Sequence, residues 1–537
     1  MLDVQVTPIN ADQLWEGYVD SSGRKWTGFY ALQKSLFDQY QGEYPVDDMR
    51  ILALGPASRQ TKEGAIGSNH VKKGELTVID DWAGRGGLGS QLLHQHHIAG
   101  IVFGGDWEDP ALKEGKELDG YFLDHFGQKA MATDLAFTQK YRYSPKFETG
   151  GTFGVNMYEA EDHLLSFNYQ SVYANSQARL EQHEQFIVKH FLKQFNEETI
   201  APKNFNHCGE PCPVVCKKFV DEYKKDYEPY QAVGPNCGIF DQRAAEKANK
   251  FIDSMGWDSI QAGGTVSWLM ELLAQKLIPA ADLGLPEDLP RFKFSSQAAE
   301  FDVVLDSMHN ADYALEIMKM VLFSPQGEPF RRGLRSAAKW LDQKYAIRSI
   351  DRAVYTAHGR EGCMVPNQYW TAGVFSPMPL MGKYFNFYGL EFIEPYQLGR
   401  KNVERFVYEL YSENSGACRF HRKWVEDIID EITSSHFELD INFWWTNFEL
   451  AKSIHLFQSD LSTFWESERV VDIISEYLKK WRENGLVNPD LDKWIAAFDA
   501  NKWEGARAFW NDMYRGMVDA FTEGITEPKH VEHGFIK

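Results

Sequence analysis

Three of the six cysteines in this chain, Cys208, Cys212 and Cys216, fall within nine residues at C-x3-C-x3-C spacing, and Cys418 stands far downstream beside Gly416. The chain opens Met1-Leu2-Asp3-Val4, without a basic or apolar leader. Clustered thiols in such a chain point to a metal centre rather than to disulfides. Three close thiolates and one distant one commonly hold a [4Fe–4S] cluster. The fold must then carry one loop and one remote segment to the same place. Zinc is the main rival, although structural zinc sites usually come as two C-x2–4-C pairs or with paired histidines. Three unligated structural cysteines are the plain alternative. Within Cys208-Gly209-Glu210-Pro211-Cys212-Pro213-Val214-Val215-Cys216, glycine and proline shape a tight loop. Lys217 and Lys218 are expected to offset the negative charge of a cluster.

The rest of the chain can build a large core, being 43% hydrophobic and 14% aromatic over 537 residues. That length suits about two to four packed domains. The net charge of −21 argues against nucleic-acid partners and against an anionic membrane surface. No run approaches the roughly 20 apolar residues of a membrane span, and a reducing cytoplasm fits the thiol usage.

The expected organisation is α+β. Residues 1–125 read as a shortened β-rich domain, with buried strands at Ile51-Leu52-Ala53-Leu54-Gly55-Pro56 and at Ala99 to Gly105. Residues 126–345 and 346–537 read as two mainly α-helical domains. Helices are expected from Phe240 to Met255, with Asp241 as cap, and over 263–277, 310–322 and 401–412.

Three glycine-bearing motifs accompany the cysteines. Asp80-Asp81-Trp82-Ala83-Gly84-Arg85-Gly86-Gly87-Leu88-Gly89-Ser90 allows close backbone approach to an anion, with Arg85 as a bidentate donor and a strand-like run after it. An ordinary Gly-rich turn is the bland alternative. Asp253-Ser254-Met255-Gly256-Trp257-Asp258 reads as a helix stop with Gly256 in left-handed conformation, or as two carboxylates turned toward a polar ligand. Glu413-Asn414-Ser415-Gly416-Ala417-Cys418 resembles it loosely, as if the two served two copies of one ligand.

In this order, with Lys140-Tyr141-Arg142-Tyr143-Ser144-Pro145, Thr149-Gly150-Gly151-Thr152-Phe153-Gly154 and Cys418-Arg419-Phe420-His421-Arg422-Lys423-Trp424, the motifs resemble those of the tungsten-containing aldehyde:ferredoxin oxidoreductases. The glyceraldehyde-3-phosphate:ferredoxin oxidoreductase branch is the most similar. The resemblance runs from about residue 20 to the end and leaves out much of the family's front β-rich segment. A small partner subunit supplying that segment, a split or truncated gene, and loss of the cofactor are the readings this leaves open.

The resemblance implies tungsten, or molybdenum, held by two pterins, with magnesium bridging the pterin phosphates. A [4Fe–4S] cluster would be held by Cys208, Cys212, Cys216 and Cys418. Arg85, Gly86, Gly87 and Gly89 would take the phosphate side of the cofactor. Asp253, Gly256 and Asp258 would touch one pterin, and Glu413 and Gly416 the other. Glu228 matches the family's active-site glutamate and would act as base, a surface or capping acid being the alternative. Tyr369 would donate to the substrate carbonyl, or simply pack in the core. Arg419, His421, Arg422 and Lys423 would recognise a substrate phosphate, dock an acidic ferredoxin, or balance cofactor charge. The implied reaction oxidises a small aldehyde to the acid and passes electrons through the cluster to ferredoxin. A non-catalytic iron–sulfur electron-transfer subunit of a larger complex is the competing reading.

Overall fold

The computed structural model describes residues 4–44, 49–105, 115–208, 212, 214–295, 300–366, 370–377, 386–435, 437–458 and 461–525. It is an α+β fold in which small sheets are outnumbered by helices.

The front of the chain is built on a four-stranded antiparallel sheet. Its order is Glu75–Ala83, Ile66–Lys72, Arg50–Leu54 and Gly100–Phe103. The register sets Ala53 against Gly67 and Ile51 against Val102. The helix Gly28–Tyr40 lies on one face and buries Phe29, Leu32, Leu36 and Phe37 among Ile51, Ala53, Leu54 and Val71. Burying each such side chain stabilises the fold by about 1.5–3 kcal/mol. Gly67 permits the contact, because a Cβ there would sit 2.5 Å from the Phe29 ring and 2.6 Å from that of Trp82.

The strand expected over 51–56 runs over Arg50–Leu54 instead. Gly55 passes so close to Met255 that a Cβ would lie 2.4 Å from its carbonyl oxygen. Pro56 then opens a short helix, Pro56–Gln60, where its missing N–H costs nothing. The strand-like run expected after the Arg85 motif is the helix Leu88–His96, which buries Gly89, Ser90 and Leu93 on one face. The helix Gly115–Phe126 crosses the boundary placed at 125, and the helix Leu334–Tyr345 ends at the one placed at 345.

The helices expected downstream are present with shifted bounds: the first is shorter at its start, Gln242–Met255, the second begins and ends earlier, Ser259–Ala274, and Leu305–Phe323 and Pro395–Asn414 are longer than expected. Asp241 caps the first, accepting from the amides of Arg243 and Ala244. Gly256 ends it at φ 61°, and Asp258 caps the next by accepting from the amides of Ile260 and Gln261. The all-buried stretch from Ile260 to Leu273 forms the centre of the main core. Among the described residues, two short hairpins interrupt the helical part, Lys218–Val220 with Tyr223–Lys225 and Thr356–His358 with Gly362–Met364. The first hairpin follows the cysteine loop directly and fixes its exit.

Candidate functional site

The cysteine loop is held from both sides. Ahead of it, Asn206 pairs with Phe219 of the following hairpin through two backbone hydrogen bonds. Behind it, the amide of Thr152 donates to the carbonyl of Cys216 at 2.8 Å. Lys217 Nζ lies 2.6 Å from Asp81 and 3.9 Å from Asp226. Lys218 is fully buried, and its ammonium donates to the carbonyls of Val215 at 2.9 Å and of Tyr141 and Arg142 at 3.3 Å. The two lysines, expected to serve charge balance alone, also staple the loop to the sheet and to the helix Ala130–Arg142. Residues 209–211 and 213 lie outside the described residues.

Cys418 is exposed and stands three residues before His421, whose ring reaches Cys212 of this loop. Burial pushes the Cys216 thiol well above its usual range, with Lys217 opposing the shift and Asp226 adding to it. Among the described residues, no group of three or more His, Cys, Asp and Glu side chains is gathered to hold a single metal ion. The donor set of four thiols from two segments suits a cluster, which takes its thiolates from further apart than one ion does.

His421 and Arg422 turn inward. His421 Nε2 lies 3.5 Å from Cys212 Sγ, and its Nδ1 is 2.5 Å from Asp134 Oδ1. Trp424 Nε1 donates to the same Asp134 oxygen at 3.0 Å. Asp134 and Cys212 hold the imidazole protonated up to about 10. Arg422 is 6% exposed and donates to the Tyr388 hydroxyl at 3.0 Å. Arg419 pairs with Glu409 at 3.1 Å and Glu413 at 3.3 Å. Lys423 Nζ sits 5.7 Å from the centre of the Phe137 ring, and burial lowers its pKa. The basic run therefore does not stand out as four solvent-facing cations. Arg419 and His421 are paired with the protein's own carboxylates Glu409, Glu413 and Asp134.

Arg85 bridges two remote segments, those of Val365 and Asp258. Its Nη2 donates to the Val365 carbonyl at 2.6 Å, and its Nε lies 3.1 Å from Asp258 Oδ2. Gly86 and Gly87 are left-handed at φ 87° and 69°. A Cβ on Gly86 would meet nothing within 4 Å, whereas one on Gly87 would lie 2.1 Å from the Lys62 carbonyl oxygen and one on Gly89 2.4 Å from that of Ala65. Gly87 and Gly89 thus have a packing role, while Gly86 leaves open space next to Arg85. A buried carboxylate that the motifs did not flag stands close by. Glu63 accepts from Trp257 Nε1 at 2.9 Å and from Gln261 Nε2 at 3.4 Å, and burial raises it to about 7. Asp258 is pushed up by burial and drawn back by Arg85.

The two acid-glycine motifs make the same turn. Gly256 N donates to the Asp253 carbonyl at 3.0 Å, and Gly416 N to that of Glu413 at 3.1 Å. Both glycines are left-handed, at φ 61° and 76°. They differ in surroundings: a Cβ on Gly256 would lie 2.8 Å from Gly55 N, but one on Gly416 would meet nothing within 4 Å. Burial raises the Asp253 carboxyl, with Lys224 opposing and Asp80 adding to the shift. Burial likewise raises Glu413.

Glu228 occupies the first turn of the helix Tyr227–Ala232, capped by Asp226, which also accepts from Thr152 Oγ1 at 2.6 Å. Its charge reaches the buried Tyr141 hydroxyl, together with those of Tyr388 and Arg422. Tyr141 in turn packs edge-on to Phe420 with ring centres 4.6 Å apart. Tyr141 through Phe420, and Tyr388 through Arg422, thereby contact the segment after Cys418. Tyr141 lies inside a motif the sequence singled out, whereas Tyr388 carried no local signal. Tyr369 lies outside the described residues. A separate cavity of about 660 Å³, lined by Tyr173, Phe292, Phe294 and Arg469 among others, shares no lining residue with this site.

Residues 133–314 match the family described as "Aldehyde ferredoxin oxidoreductase, domains 2 & 3". Glyceraldehyde-3-phosphate:ferredoxin oxidoreductase of Pyrococcus furiosus is 34% identical over 98% of this chain and 80% of its own length. An uncharacterised protein of Methanocaldococcus jannaschii is also 34% identical, over 84% of this chain and 74% of its own. A tungsten-containing aldehyde ferredoxin oxidoreductase of Pyrococcus horikoshii is 36% identical over 91 residues, which is 16% of this chain and 15% of that one. Among solved structures, the active-site complex BamBC of benzoyl coenzyme A reductase aligns over 93% of this chain and 78% of its own, with TM-score 0.50 and 10% identity. That likeness concerns the fold alone. These matches lend no support to a small partner subunit. No helix among the described residues is long and apolar enough to cross a membrane.

Proposed function

The chain belongs to the aldehyde ferredoxin oxidoreductase family, and on that premise we propose that it oxidises a small aldehyde to the carboxylic acid and delivers the electrons to ferredoxin. Glyceraldehyde 3-phosphate, or a related aldehyde, is the proposed substrate. The balance is one aldehyde and one water converted to one acid, with two protons and two electrons released and two one-electron ferredoxins reduced.

The observation that supports this reading is the contact of His421, three residues after Cys418, with Cys212 of the cysteine loop, Nε2 to Sγ at 3.5 Å. Cys208, Cys212, Cys216 and Cys418 would hold a [4Fe–4S] cluster. Arg85, with the open space at Gly86, would face the pterin phosphates and a bridging magnesium ion. The turns at Asp253–Gly256 and Glu413–Gly416 would each present an acid to one pterin. When bound, the pterin-held tungsten or molybdenum supplies the two-electron oxidation, and the cluster supplies one-electron exchange. Glu228 would accept the proton of the water that adds to the carbonyl.

The test is reduction of ferredoxin, or of a viologen dye, by anaerobically purified protein offered glyceraldehyde 3-phosphate and a series of unphosphorylated aldehydes. Aldehyde-dependent reduction is expected. Electron transfer from a reduced partner without any aldehyde oxidation would replace the reading with that of an electron-transfer subunit.

A further inference from the structure

The contact between His421 and Cys212 is not explained by substrate or ferredoxin recognition. The two residues are 209 positions apart in sequence, yet Nε2 lies 3.5 Å from Sγ. The ring cannot turn freely, because Nδ1 is fixed 2.5 Å from Asp134 Oδ1. Asp134 is itself fixed, 7% exposed on the helix Ala130–Arg142 and accepting from Trp424 Nε1 at 3.0 Å. A metal-bound thiolate carries no hydrogen, so a hydrogen bond across this contact must come from the ring. Among the described residues, the amide of Val214 also reaches the same sulfur, at 3.5 Å.

We propose that His421, oriented by Asp134, donates an N–H···S hydrogen bond to the Cys212 ligand and thereby raises the reduction potential of the cluster. His421 is thus a positioning and tuning residue for electron transfer, and Asp134 is the residue that aims it. Hydrogen bonds to ligand sulfur withdraw charge and favour the reduced state, one of the main protein controls on cluster potential. The inference rests on the reading that the four cysteines hold the cluster.

The experiment is a redox titration of the full chain, purified anaerobically and followed by electron paramagnetic resonance of the reduced cluster, with iron counted in every sample. His421→Leu is expected to shift the equilibrium toward the oxidised cluster by about tenfold, a fall of about 59 mV for a one-electron couple. Asp134→Asn is expected to move it the same way by less, and His421→Gln, which keeps an N–H donor, to recover most of the shift. If His421→Leu fails to retain iron, Asp134→Asn decides alone. Equal midpoints for wild type and for each iron-bearing variant overturn the inference while leaving the cluster in place. Wild-type protein without iron overturns the cluster reading, and the inference with it.

Discussion

Lys217 Nζ meets Asp81 Oδ1 at 2.6 Å, so the residue after the last loop cysteine is tied to the strand that leads into the Arg85 motif. The pair spans 136 residues of sequence. It joins the sheet to the cysteine loop at one point, with Asp226 on the other side of the ammonium. Lys217→Met would leave Asp81 in solvent and Asp226 without this cation. The expected loss is about 1–3 kcal/mol of stability, with a lower iron content, read by chemical denaturation and metal analysis. Unchanged values for both would show that the tie is incidental.

Glu63 gives a pH dependence with a definite sign. Burial raises its folded pKa to about 7 from an ordinary 4.5. The folded state therefore binds more protons than the unfolded chain between those values, and this group's stabilising contribution is lost as pH rises through about 7. Glu63→Gln removes the titration while keeping an acceptor for Trp257. The variant is expected to gain on wild type by about 1–3 kcal/mol between pH 5 and 8. Denaturation curves that stay a constant distance apart over that range would contradict the assignment.

Gly67 tests the packing of the front sheet. A Cβ there would meet the rings of Phe29 and Trp82 at 2.5 and 2.6 Å. Gly67→Ala is expected to cost about 1–3 kcal/mol, measured as a lower thermal midpoint. A neutral effect would mean that both rings move aside freely.

Glu228→Gln separates proton transfer from cofactor binding. Activity is expected to fall by about 10²-fold or more, while iron and tungsten contents match wild type. Full activity would remove Glu228 from the chemistry.

Much of this was legible in the sequence because it is local. Asp241 and Gly256 delimit one helix by capping rules that act within a few residues, whereas Asp258, the cap of the next helix at Ser259, did not read as one. The turns at Gly256 and Gly416 repeat because their short sequences ask for the same closure. What was not legible depends on partners far away. The Arg419–Lys423 run reads as a surface patch until Asp134, 287 positions from His421, is folded against it. Glu63 has no motif, because its neighbours Trp257 and Gln261 are 194 and 198 positions away. The strand-like run after Arg85 misled because a short apolar stretch carries no clear period, and Gly87 in left-handed conformation starts a helix there.

The most direct measurement is the metal content of anaerobically purified protein, determined by mass spectrometry for tungsten, molybdenum, iron and zinc. About four iron and about one tungsten or molybdenum per chain are expected of a [4Fe–4S] cluster beside a pterin-held metal. Zinc alone, or iron without tungsten or molybdenum, would contradict the proposed aldehyde oxidation.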